Sequence, residues 1–257
     1  MSTRADVALV ERGLVRSRTL ARRLIEAGTV LTDGPGGEVP VTRAAQPIFS
    51  DQPLRVLESE TARFVSRGGN KLDAALQAAG IDCTGLDALD VGMSTGGFTH
   101  CLLARGARQV LGIEVGHGQL DPVLAADPRV HCLEHTHIRD VHLADLRLPD
   151  GSVPAQGFAL IVVDLSFIAA SHLLQKLATL AAPGGRLTCL IKPQFELGPQ
   201  ARNRQGIVRA DADLDGLRRD VIQRAEDAGW QVDDWQRCAL VGGDGTQEYF
   251  LIATRRP

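Results

Sequence analysis

Apolar positions change their period once along this chain. In the first sixty residues they recur at helical spacing twice, at Val7, Val10 and Leu14 and then at Leu20, Leu24 and Ile25. This predicts two short helices, the second opened by Ser17 as N-cap and stopped by Gly28. Thr29 to Thr32 predicts a short strand, Asp33-Gly34-Pro35-Gly36-Gly37 a turn, and Val39 to Val41 and Leu54 to Leu57 two further strands. A boundary falls near Glu58 to Arg67. From about Ala79 onward, short apolar runs alternate with helical patterns. Strands are predicted at 88–91, 110–115, 130–133, 160–164, 187–191, 232–237 and 249–253, and helices at 99–105, 169–181 and 214–228. Gly106 and Gly229 serve as stops, and Pro183-Gly184-Gly185 as a turn. Such alternation predicts an α/β fold with a mostly parallel sheet covered on both faces. Its ligand belongs beyond the carboxyl ends of the strands, where the strand order switches.

Composition narrows the class. The chain has 257 residues, 44% of them hydrophobic, enough for one full-sized domain and a small second one. The N-terminus carries no charged-then-apolar leader, and the most apolar stretch, Phe158 to Ala170, is broken by Asp164. Five scattered cysteines form no Cys-x-x-Cys pair. A soluble, cytoplasmic protein without membrane association is expected from these features. The net charge of -3 argues against a nucleic-acid partner until charge is read locally. Residues 1–25 hold six arginines (4, 12, 16, 18, 22, 23) against Asp6 and Glu11. That is either a solvated helix face or a phosphate-binding surface.

Candidate chemistry gathers at strand ends. The first strand of the larger part runs through Asp90-Val91-Gly92 into Met93-Ser94-Thr95-Gly96-Gly97-Phe98. Glycines at 92, 96 and 97 miss the spacing that brings a dinucleotide pyrophosphate to a helix N-terminus, so a nucleoside ligand without pyrophosphate suits this turn better. Glu114 closes the second strand, 22 residues after Gly92 (114 − 92), where a carboxylate binds ribose hydroxyls. Together they favour S-adenosylmethionine over NAD. Asp164 and Lys192 each follow a buried apolar run, a costly placement unless they pair or react. Lys71 and Glu248 are candidates to join them.

Several motifs in combination resemble one family: Leu9-Val10-Glu11-Arg12-Gly13-Leu14, Ser17-Arg18, Val65-Ser66-Arg67-Gly68-Gly69, Lys71-Leu72, Ser94-Thr95-Gly96-Gly97-Phe98-Thr99, Asp164-Leu165-Ser166-Phe167 and Ile191-Lys192-Pro193-Gln194-Phe195-Glu196. They are similar to the hemolysin-A-like TlyA ribosomal RNA 2′-O-methyltransferases, relatives of the FtsJ-type enzymes, over nearly the whole length. The resemblance implies a Rossmann-like class I methyltransferase domain over 68–257, with a seven-stranded sheet whose last strand is antiparallel. It implies an S4-like RNA-binding α+β domain over 1–60 and a linker at 61–67. It further implies methylation of a ribose, a cytidine by family likeness, in ribosomal RNA or its subunits, with S-adenosylmethionine as cofactor. Carried over residue by residue, the catalytic set is Lys71, Asp164, Lys192 and Glu248. Lys192 is then base or hydroxyl-activating cation, and Asp164 orients it. Asp90, Gly92, Ser94, Thr95, Gly96, Gly97, Phe98, Glu114 and His137 hold the cofactor, and Arg4, Arg12, Arg16, Arg18, Arg22, Arg23 and Arg67 meet RNA. The chain departs from the family pattern at Glu114, His117, His137, the Asp121-Pro122-Val123 segment and Thr246-Gln247.

Two other functions compete with this one. A base amino-methyltransferase would place an acidic-Pro-Pro-aromatic motif at Asp164, but Leu165 and Ser166 replace both prolines. A non-catalytic RNA-binding or hemolysin-like protein would need no Lys192 at a strand end. The histidines at 131, 135, 137 and 142 with Cys132 lack a ligand spacing, so no metal is expected. Cys189 is expected to be a small core residue, and the arginines of 198–209 either a phosphate clamp or a plain loop.

Overall fold

The computed structural model describes residues 2–15, 17–34, 36–57, 63–203, 205, 207–242 and 245–257. The chain divides into two compact units, Met1–Asn70 and Lys71–Pro257. Unit one runs β1 (Ser2–Arg4), α1 (Ala5–Glu11), α2 (Arg18–Glu26), β2 (Val30–Gly34), β3 (Gly37–Pro40), β4 (Pro47–Phe49) and β5 (Leu54–Val56). Strand β1 pairs with β4, and β2 lies between β3 and β5, all antiparallel. The Ser17 side chain accepts from the Leu20 N–H as N-cap of α2, and Leu20, Leu24 and Ile25 are buried, the face its period predicts. Helix α1 corrects the expectation. It buries Ala5, Ala8 and Leu9 with Asp6, while Val7 and Val10 are half-buried and Leu14 is exposed. The face is phased by the buried carboxylate rather than by the valines. Part of the expected turn at 33–37 and of the linker at 61–67 falls on Pro35 and on 61–62, outside the described residues.

Unit two opens within α3 (Arg67–Ala78), followed by β6 (Asp87–Val91), α4 (Gly97–Ala104), β7 (Gln109–Ile113), α5 (Pro122–Ala125), β8 (Val130–Leu133), β9 (Phe158–Val163), α6 (Leu174–Ala178), β10 (Ala181–Ile191), α7 (Pro193–Glu196), α8 (Leu214–Asp227), β11 (Trp230–Arg237) and β12 (Tyr249–Arg255). The seven strands lie in the order β11-β12-β10-β9-β6-β7-β8. Strands β8, β7, β6, β9 and β10 are mutually parallel, and β12 runs antiparallel between β10 and β11. This is the seven-stranded, mostly parallel sheet with an antiparallel last strand that the resemblance implies. Central strands β6, β7 and β9 are buried almost throughout; β7 and β9 read as apolar runs without alternation, whereas β6 carries the buried Asp90 among its apolar residues. Trp230 is wholly buried and donates its indole N–H to the Leu174 carbonyl at 3.0 Å.

Two elements depart from the pattern. Helix α3 is not announced by the sequence, because it opens on Arg67-Gly68-Gly69-Asn70 and glycine is a poor helix former. The helix expected over 169–181 shortens to a 3-10 turn, Ala170–Leu173, and α6. There the Glu196 carboxylate accepts from the Ser171 hydroxyl at 2.6 Å and its N–H at 3.2 Å. Ala181 is then drawn into β10 opposite Phe158, and the predicted 183–185 turn becomes an irregularity in that strand.

Candidate active site

Strand register assembles the site. Val91 sits level with Ile113 on one side and Val163 on the other, so the next residues, Gly92, Glu114 and Asp164, leave the sheet side by side. The chain passes from β6 to β7 and β8, then returns to the other flank of β6 as β9. This is the switch point where open α/β sheets bind ligands. Ile191 pairs with Tyr249 across β10 and β12, which brings the following Lys192 opposite the preceding Glu248.

A cavity of about 590 Å³ opens at this edge, lined among others by Gly92, Ser94, Glu114, Gln119, His137, Asp164, Ser166 and Phe167. Gly92 has φ +87°, and a Cβ there would lie 2.4 Å from the Asp164 carbonyl oxygen, so only glycine lets the turn pass that close. The Glu114 carboxylate accepts from the Ser94 N–H at 2.9 Å and the Gly116 N–H at 2.8 Å, pinning the two loops that frame the opening. Each oxygen keeps lone pairs for an outside donor. Ser94 donates from its hydroxyl to Gln119 at 3.0 Å. Ile113, Ile138, Leu165 and Ile168 supply apolar wall. A carboxylate on one side and apolar faces around it fit an adenine nucleoside in chemistry and size.

Of the residues predicted for the cofactor, Gly92, Ser94, Glu114 and His137 line the cavity, whereas Asp90, Thr95, Gly96, Gly97 and Phe98 do not. Asp90 is wholly buried and accepts from the Thr99 hydroxyl at 2.7 Å. Burial pushes its carboxyl up from 3.8 to about 7, and the charges of Asp164 and Glu114 add to the rise. Gly96 begins α4 at φ +85°, with its Cα face against Leu120 and Leu124. The His137 Nδ1 accepts from the Arg139 N–H at 3.1 Å, so this side chain caps a turn as well as lining the cavity.

The four predicted catalytic residues form two ion pairs. Lys192 Nζ lies 2.6 Å from Asp164 Oδ1 and donates to Ser166 Oγ at 3.2 Å. Lys71 Nζ, from α3, lies 2.5 Å from Glu248 Oε2 with both groups buried. Burial first raises the Cys238 thiol, with Lys71 opposing the rise and Glu248 and Asp164 adding to it, so charges of both pairs act on one group. Ser166 and Phe167 escaped assignment from sequence, although the Asp164-Leu165-Ser166-Phe167 motif contains them. Phe167 is 88% exposed at φ +72°, a strained conformation for an aromatic residue. Its ring meets Phe195 at 5.7 Å, and the Arg202 guanidinium stands 5.8 Å from the other ring's centre. Cys189 is wholly buried, and burial lifts its thiol well above the ordinary value.

The predicted RNA-facing arginines divide in unit one. Arg4, Arg18 and Arg22 converge on Asp6. Arg12 donates to the Phe49 and Gln52 carbonyls at 2.8 and 2.5 Å, which commits it to the turn after β4. Arg23 donates to the Val65 carbonyl at 3.3 Å, and Arg67 is exposed at the start of α3. Arg16 and Arg204 lie outside the described residues. Among the described residues no group of three or more His, Cys, Asp or Glu could hold a metal ion, and no helix is long and apolar enough to cross a membrane.

Comparison with known proteins adds relatives to this geometry. A family model described as FtsJ-like methyltransferase matches residues 64–255. The 16S/23S rRNA (cytidine-2′-O)-methyltransferase TlyA of Mycobacterium tuberculosis is 39% identical over 253 residues, 96% of this chain and 88% of that protein. Hemolysin A of Brachyspira hyodysenteriae is 31% identical over 246 residues, 96% and 97% of the two chains. A solved structure of a candidate hemolysin from Streptococcus thermophilus aligns with a TM-score of 0.74 at 30% identity, covering 99% of this chain and 89% of that one.

Proposed function

Because this chain belongs to the FtsJ-like methyltransferase family, we propose that it methylates the 2′-oxygen of a ribose in ribosomal RNA, with S-adenosylmethionine as donor. The nucleotide is a cytidine by likeness to the mycobacterial relative, and residues 1–60 act as an S4-like RNA-binding domain. One observation carries the reading: Asp164, at the wall of a nucleoside-sized cavity that Gly92 and Glu114 also line, holds the Lys192 ammonium 2.6 Å away.

When bound, S-adenosylmethionine supplies a methyl group on a sulfonium, open to in-line attack. Glu114 would hold the donor's ribose hydroxyls with the lone pairs left by Ser94 and Gly116. Lys192 has three N–H donors; Ser166 takes one, Asp164 holds the ammonium as an ion pair, and a remaining N–H would meet the substrate 2′-oxygen. That ammonium stabilises the negative charge that develops as the hydroxyl loses its proton. Asp164 would take the hydroxyl proton and release it to solvent afterwards. Phe167 offers an exposed face at the rim on which the target base stacks. Lys71 and Glu248 hold the start of β12 and the field around the reacting pair.

Transfer of labelled methyl to ribosomal RNA or subunits, followed by nuclease mapping, tests the reading. A methyl on a 2′-oxygen is expected; a methyl on a base, or no transfer, refutes it. Lys192→Ala should lower the rate by roughly 10²- to 10⁴-fold while leaving donor binding intact. A wild-type rate in that variant removes Lys192 from the chemistry.

A further inference from the structure

One negative charge sits where an RNA-binding surface should have none. Asp6 has no exposed surface, yet three guanidiniums, each about half exposed, close on its carboxylate from two directions. Arg4, at the end of β1, donates from Nε to Oδ1 at 2.9 Å and from Nη2 to Oδ2 at 3.2 Å. Arg18 and Arg22, one turn apart on α2, donate to Oδ2 at 3.0 and 3.1 Å. Arg4 first, then burial in the opposite sense, then Arg18 and Arg22, leave this carboxyl well below the usual carboxylate range.

Three arginines brought this close repel one another, and each loses rotamer freedom when it is held. A buried carboxylate offsets both costs before any ligand arrives. The cluster keeps a charge of +2, three guanidiniums against one carboxylate. An arginine has five N–H donors; Asp6 takes two at most from each, so every guanidinium retains at least three for an outside acceptor. Planar forks with fixed orientation match phosphate oxygens bidentately. Arg12 and Arg23, by contrast, are engaged with carbonyls of their own unit.

We propose that Asp6 is the positioning residue of a phosphate-binding array, in which one buried carboxylate fixes Arg4, Arg18 and Arg22 as forks for adjacent phosphates of an RNA backbone. A residue of the wrong charge for RNA therefore strengthens RNA binding. This rests on the reading that the chain binds RNA, and the experiment separates the two. Binding of a labelled ribosomal RNA fragment is measured by anisotropy over a series of salt concentrations for wild type, Asp6→Asn, and the triple variant Arg4→Gln, Arg18→Gln, Arg22→Gln. Simple charge counting predicts tighter binding for Asp6→Asn, which removes a negative charge. The positioning role predicts binding roughly tenfold weaker, with a salt slope shallower by about one phosphate contact.

A triple variant that binds like wild type removes the RNA reading of this surface. A weak triple variant beside an Asp6→Asn that binds equally or more tightly overturns the positioning role and leaves RNA binding standing. Circular dichroism checks the fold of each variant. If Asp6→Asn does not fold, Arg22→Lys decides, since it keeps the charge and loses the Nε fork: weaker binding supports the array, and wild-type affinity overturns it. Binding to phosphatidylserine vesicles that exceeds binding to RNA also overturns it, since a membrane surface would then be the partner.

Discussion

Asp90→Asn separates what the glycine turn needs for stability from what it needs for its ligand. Asp90 has no exposed surface; one carboxyl oxygen accepts from Thr99, and the other, Oδ1, has no hydrogen-bond partner among the described residues. Burial is the main reason its carboxyl rises from 3.8 to about 7. In the unfolded chain the group titrates at its ordinary value. Between about pH 4 and pH 7 the folded state therefore binds the extra proton, and stability falls as pH rises through that window. A rise of about 3 units at ~1.4 kcal/mol each bounds the effect near 4 kcal/mol, and relaxation with water entry reduces it to about 2–4 kcal/mol. Asparagine is neutral throughout and keeps an acceptor for Thr99, although its amide N–H groups inherit the unpartnered side, at a cost of ~1–3 kcal/mol. Urea denaturation from about pH 4 to pH 8 should show a falling stability curve for wild type and a flatter one for the variant, so that the variant gains on wild type as pH rises. Donor affinity should stay within a few-fold, because Asp90 does not line the cavity. Parallel curves for the two proteins would refute the argument that burial holds this carboxyl neutral.

Lys71→Met should cost about 3–5 kcal/mol, because it strands a buried Glu248 carboxylate, and adding Glu248→Leu should recover most of that loss. Chemical denaturation of the double-mutant cycle checks it, and equal loss in both variants would deny the coupling. Glu114→Ala removes the acceptor for the Ser94 and Gly116 N–H groups, each worth ~1–3 kcal/mol if left unpaired. Calorimetric titration should show S-adenosylmethionine binding weakened at least tenfold, and unchanged affinity would remove Glu114 from the donor site.

The strand ends were legible because parallel strands covered on both faces are written as unbroken apolar runs, so a charged residue that ends one marks the exit. Glu114, Asp164 and Lys192 all announce themselves in this way. What stayed hidden depends on small residues and distant partners. The buried face of α1 rests on Ala5 and Ala8, whose hydrophobic signal is weaker than that of the half-buried Val7 and Val10. Asp6 is buried there beneath Arg4 and two arginines 12 and 16 residues away, a convergence no local period records. Arg12 looked like its arginine neighbours, yet its partners lie in the turn at 49–52. Helix α3 was masked by its own glycines.

Register could be read across neighbouring strands, but not the division of Lys71, Asp164, Lys192 and Glu248 into two pairs of different character. Lys71 and Glu248 stand 177 residues apart in sequence and meet with 9% and 3% of their side chains exposed, whereas Asp164 keeps 27% and lines the cavity. A sealed ion pair spends its charges on each other, and desolvation makes it a poor source of net stability. It does fix position, tying α3 to the start of β12 opposite the exit of β10. Lys192 lies at that exit, so the closed pair bears on where the open pair's ammonium points. Under the proposed function the two pairs have different duties: Lys192 and Asp164, with Ser166 as the third point, would meet the hydroxyl, and Lys71 and Glu248 would hold the start of β12 beside them. On this division, loss of Lys192 should act on the rate alone, and loss of Lys71 should act first on folding.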